Sequence, residues 1–123
     1  MQPQPTLDAI ELLRGAYKAF NARDIDAALA TMTSDVAWPR AFKGGFVEGH
    51  EAIRAYWTEQ WSEIDPRVEP LRFALLASGE ILAVVHQVVR DLAGNVLADS
   101  PREHVFTRAQ GLIRKMEVRE AQA

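Results

Sequence analysis

The sequence has no cysteine, which excludes a disulfide framework, a thiolate metal site and a thiol nucleophile, and fits a reducing compartment. It has no surplus of positive charge either: 14 lysines and arginines against 17 aspartates and glutamates leave a formal net charge of −3. The basic residues are scattered, so the electrostatic footprint of a nucleic-acid-binding surface is missing. No run approaches the ~18 apolar residues of a membrane span, and the opening MQPQPTLDAIELL lacks the basic n-region and apolar stretch of a secretion signal. The expectation is a cytoplasmic protein that engages neither nucleic acid nor membrane. Histidine is scarce: His50, His86 and His104 show no metal-ligand spacing, so neither a metal nor another cofactor is expected. The KGG at 43–45 lacks the strand, helix and lysine order of a phosphate loop, and Ser62, Ser78 and Ser100 lie in no nucleophile elbow.

What is present is the makeup of a globular domain, with 48% hydrophobic and 25% charged residues. A chain of 123 residues closes one core rather than two, so 1–123 is expected to be a single domain, with 1–5 disordered or extended. Leu7, Ile10, Leu13, Tyr17 and Phe20 recur at three- and four-residue steps and predict an amphipathic helix from about Thr6 to Ala22, with Thr6 or Asp8 to cap it. Asp24 suits the start of a second, shorter helix through Met32, since a carboxylate there accepts free backbone N–H groups. VAWPR predicts a short strand, with Pro39 placing it at an edge or a bend, and FKGGFVEG a turn. A third helix is expected from His50 to about Ile64, with Ile53, Trp57, Trp61 and Ile64 on one face and Pro66 helping to end it.

Beyond Pro66 the period changes to two. Four extended segments separated by turn signals at Ser78-Gly79, Ala93-Gly94-Asn95 and Ala109-Gln110-Gly111 predict an antiparallel meander. Helices first and a sheet second imply an α+β fold with helices on one sheet face. Ile81, Ala83, Val85 and Val89 alternate with Leu82, Val84 and Val88, so this strand is apolar on both faces, and the face away from the helices is expected to meet a second subunit.

AYKAFNARDIDAALATMTSDVAW, VEGHEAIRAYW and EHVFTRAQGLIRKMEV together resemble the SnoaL-like branch of the nuclear transport factor 2-like superfamily. The resemblance covers nearly the whole chain and implies a cone: three N-terminal helices packed on a curved, mainly antiparallel sheet, a ligand space at the open end, and dimerisation through the outer sheet face. Relatives include ketosteroid isomerase, polyketide cyclases and epoxide hydrolases, so the fold does not select an activity. Laid over this chain, the isomerase pattern puts Arg40 where the general base stands, Ala16 beside Tyr17 where the oxyanion-hole tyrosine stands, and Glu103 at the protonated carboxylic acid, with Pro101 matching. Neither Pro39 nor Arg40 can abstract a carbon-bound proton at neutral pH, which disfavours steroid isomerisation.

The candidate catalytic residues are His86, Glu103 and Arg40. His86 is either a hydrogen-bonded core histidine or a proton carrier near neutrality. Glu103 is either a surface glutamate paired with an arginine or a carboxyl whose pKa rises by desolvation in the cone. Alternation groups Asp99, Glu103 and Val105 on one strand face, and a one-residue register error substitutes His104 for Glu103. Arg40 and Arg90 with Asp99 or Glu103 would give a carboxylate–arginine arrangement like that of the epoxide hydrolases. Tyr17, Phe20, Trp38, Trp57, Trp61, Val88, Asp99 and Val105 are the expected ligand-binding residues, around a partly open space with Trp38 in its wall. The function this implies is the binding of a small apolar, cyclic molecule, with or without acid–base catalysis of the isomerase, cyclase or hydrolase type. The alternative is a non-catalytic binding or dimerising domain.

Overall fold

Helix α1 (Leu7–Asn21) starts where the Thr6 side chain accepts a hydrogen bond from the Ala9 backbone N–H at 3.2 Å, with Asp8 in its first turn and Lys18 in its last. The structure is a computed structural model that describes residues 4–40 and 43–120. The expectation for residues 1–5 therefore falls largely outside the described residues; Gln4 and Pro5 lie in no regular element, and Pro5 is buried. The expected stripe of α1 holds at Ile10, Leu13, Tyr17 and Phe20, which are in the core or packed against it, and fails at Leu7. Leu7 is 77% exposed, whereas Ala9, Leu13, Ala16, Tyr17 and Ala19 are buried. Three small alanines let the helix backbone approach the sheet closely, and a period counted on large residues alone passes over them.

The segment FNARDID explains itself in the fold. Arg23 takes a left-handed φ of 63° and closes α1 through N–H bonds from Arg23 to the Phe20 carbonyl and from Asp24 to the Ala19 carbonyl. The Asn21 amide pairs with the Val68 backbone in both directions, at 2.8 and 2.9 Å, and so pins α1 to a strand. The Arg23 guanidinium bonds the Asp65 carboxylate and the Pro66 carbonyl. Asp24 caps helix α2 (Ile25–Leu29), which is shorter than expected because β1 (Met32–Pro39) begins at Met32.

The chain then makes a strand where a turn is expected: β2 (Phe46–Glu48) pairs antiparallel with the end of β1, while Ala41 and Phe42 lie outside the described residues. Helix α3 (His50–Trp61) follows, so two strands intervene between α2 and α3 rather than three helices preceding the sheet. It ends before Pro66, since Ile64 already opens β3 (Ile64–Leu75). The long strands β3, β4 (Ile81–Asp91), β5 (Val96–Ala109) and β6 (Leu112–Glu120) form the expected meander. The curved six-stranded sheet runs β2-β1-β6-β5-β4-β3; β1 pairs parallel with β6, and the other pairings are antiparallel. β1 is thus interior, and Pro39 is its last residue at the β2 side.

The helices cover one sheet face. The core there joins Leu13, Tyr17, Ile53 and Trp57 to Ala83, Val85, Phe106 and Met116. The opposite face carries a smaller apolar cluster of Ala74, Leu82 and Val105. Among the described residues no helix is long and apolar enough to cross a membrane.

Candidate functional site

Between α1, α3 and the inner sheet face lies a hollow of about 70 Å³. Aromatic rings build most of its wall. Trp57, 1% exposed on α3, meets Trp38 of β1 edge-on at 5.6 Å and Phe20 of α1 at 5.4 Å. Such ring pairs add about 0.5–1.5 kcal/mol each to the burial of large apolar surface. Trp61 stacks on Trp57 at 5.6 Å and lies behind it, with the Arg23 guanidinium 4.8 Å over its ring; it does not line the hollow.

The polar groups are few. Tyr17 Oη and His104 Nδ1 are 2.7 Å apart, both residues are buried, and both line the hollow. Burial, helped by the positive charge of Arg102, holds the His104 imidazole down to about 4, and burial pushes the Tyr17 phenol well above its usual value. Both groups are therefore neutral at pH 7. In one tautomer Tyr17 donates to Nδ1 and the imidazole carries its own proton on Nε2; in the other Nδ1–H donates to Tyr17 Oη. Tyr56 and Gln60, one turn apart on α3, add a second polar pair, with Gln60 Nε2 donating to Tyr56 Oη at 3.0 Å. Gln87 of β4 contributes an amide.

Four of the expected residues, Tyr17, Phe20, Trp38 and Trp57, come together in this wall. The strand residues do not. Cross-strand pairing sets His86 opposite Pro101, Val84 opposite Glu103 and Val88 opposite Asp99, and this set shares the outer face with Leu82 and Val105. The expectation that His86, Glu103, Val88, Asp99 and Val105 face the cone is thereby corrected. His86 is exposed and bonds the Asp99 carboxylate; Glu103 is buried on the outer face against Arg119, at 3.1 Å. Arg40 is likewise corrected: its side chain turns back to the Gly44 carbonyl at 2.9 Å, outside the hollow. The physical reason is the pleat. A strand apolar on both faces gives two sets without saying which is inner, and one residue of register error exchanges them. His104, the residue such an error brings in, is the one that faces inward.

His50 bonds the Met32 carbonyl at 3.2 Å, and no cluster of three or more potential metal ligands occurs among the described residues. Sequence reasoning missed Tyr56, Gln60 and Gln87. Gln87 had a readable signal, as the one polar residue in the series Ile81, Ala83, Val85, Gln87, Val89.

The family model for the SnoaL-like domain matches residues 13–116. The chain belongs to the SnoaL-like domain family. Solved structures of the NTF2-like fold superpose over most of its length. TerC, crystallised with polyporic acid, is 24% identical with a TM-score of 0.80, over 93% of this chain and 92% of its own. An NTF2-like protein of unknown function from Burkholderia pseudomallei is 23% identical, also at 0.80, over 94% and 92%. Rv0760c from Mycobacterium tuberculosis, in complex with estradiol-17β-hemisuccinate, is 19% identical at 0.76, over 90% and 92%. No curated protein matches the sequence significantly. At these identities the likeness establishes the fold of this SnoaL-like chain and leaves its chemistry to its own residues.

Proposed function

We propose that this SnoaL-like chain binds a small, largely apolar ring compound in the hollow, with an oxygen of that compound hydrogen-bonded at the Tyr17–His104 pair. The observation that carries the reading is the pair itself: two buried polar side chains joined at 2.7 Å in a mostly aromatic and aliphatic wall. A few fixed polar groups in an apolar wall are what orient a small ligand. With Tyr17 donating to Nδ1, the imidazole Nε2–H offers a donor suited to a carbonyl or phenolic oxygen. The family match and the ligands crystallised with two structural neighbours support the same class. The described lining residues include no carboxylate, lysine or arginine. The described lining residues able to move a proton are His104, Tyr17 and Tyr56; the low pKa of His104 makes it a weak base, and burial keeps the Tyr17 phenol protonated. Binding is therefore the function we assign ahead of catalysis.

Titration with 4-methylphenol, a single ring bearing one oxygen, followed by tryptophan fluorescence, is expected to saturate. Tyr17→Phe and His104→Gln should each weaken binding about tenfold, and Ala16→Trp, which fills the hollow, should abolish it. Equal saturation in all three variants would overturn the reading.

The outer face supports a homodimer as a second inference. Leu82, Val105 and Ala74 form an apolar patch on this face, beside the His86–Asp99 and Arg119–Glu103 pairs, and a patch of this kind is what a two-fold-related copy would cover. Sedimentation at micromolar concentration should give a dimer, and monomer alone would remove this inference.

A further inference from the structure

Two residues of the hollow border a second space. Tyr56 and Gln60 also line a groove of about 340 Å³ that includes Ile64, Val89, Leu97 and Ala98, with the Lys43–Glu59 ion pair at its side. Their own hydrogen bond, 3.0 Å between two half-buried side chains, stands in the partition between the spaces. The sizes are unequal in an informative way. At about 70 Å³ the closed hollow is smaller than the ~150 Å³ cavity that takes up benzene, so a ring enters it only as the wall toward the groove gives way; the groove itself is within the ~300–1,000 Å³ of small-molecule sites. The hairpin that supplies Leu97 also exposes Leu92 and Val96, three large apolar side chains 58, 64 and 55% exposed at one place.

Resting on the function proposed above, we infer that hollow and groove are one binding site, joined when the Tyr56–Gln60 bond opens, and that its ligand is a ring compound bearing an apolar chain. The ring lies among Trp38, Trp57 and Phe20 with its oxygen at Tyr17–His104. The chain runs past Tyr56 and Gln60 over Val89 and Leu97. Both side chains of the partition bond are half-buried, so each has solvent within reach when that bond is exchanged for water. Continuity through two shared residues is what makes the groove part of this site rather than a separate depression.

The test is a homologous series of 4-alkylphenols, methyl to octyl, titrated calorimetrically into the protein. Affinity is expected to rise about fourfold per methylene until the groove is filled. Leu97→Asp and Ala98→Trp should flatten the series; Leu97 is exposed, so its variant tests the idea without disturbing the core. A flat series in the unmodified protein, or a slope that survives both variants, overturns the inference. If 4-methylphenol binds, Ala16→Trp abolishes that binding and the series is still flat, the extended site fails while the proposed function stands. If no phenol binds, both fail.

Discussion

Replacing His104 with glutamine changes how stability depends on pH, and the size of the change follows from burial. In the fold the imidazole titrates at about 4 because its charged form is cut off from water. In the unfolded chain it titrates near 6.5. Between those values the unfolded state binds a proton that the folded state refuses, so unfolding becomes easier as the pH falls. The contribution is intact above pH 6.5, declines through the window down to about 4, and is constant below it. At ~1.4 kcal/mol per pH unit the loss over the window is about 3 kcal/mol. Urea unfolding at intervals from pH 4 to 7.5 reads it directly: the difference in stability between the parent and His104→Gln should shift by about 3 kcal/mol over this range, with the parent losing more on acidification. Carboxylates titrate here too, but equally in both proteins. Parallel curves would mean that His104 takes up its proton in the folded state, and the argument for a neutral pair with Tyr17 would fail.

Two other changes follow from the same geometry. Gly49 precedes α3 with φ 87° and ψ 161°, a conformation open essentially to glycine alone; a Cβ there would meet only the Ser34 carbonyl at 3.6 Å, so Gly49→Ala should cost about 1–3 kcal/mol through backbone strain rather than clash, measured by urea unfolding. His86→Ala and Asp99→Asn, on an exposed outer-face pair, should change stability by less than about 1 kcal/mol and leave ligand affinity unaltered; a large loss of affinity would return His86 to the site.

The helices, the meander and the aromatic wall were legible in the sequence because each rests on a local regularity: the cap at Thr6, the change to period two after Pro66, the rings at Trp38 and Trp57. The sidedness of β4 and β5 was not. Leu82, Val84 and Val88 are as apolar as Ile81, Ala83 and Val85, and only the packing of α1 and α3 decides which set is inner. That choice exchanged Glu103 for His104 and His86 for Gln87. Tyr17 was read as part of the wall, but its partner lies 87 residues away, and no local pattern encodes a contact of that range. Strand β2 was missed because three residues following Gly44-Gly45 carry too little pattern to distinguish a strand from a turn.

A crystal structure of the chain soaked with 4-methylphenol tests the central claim most directly. The account predicts ring density against Trp38 and Trp57, with a ligand oxygen about 3 Å from His104 Nε2 or Tyr17 Oη. Density on the outer face beside His86 and Glu103, with the inner wall unchanged, would contradict it.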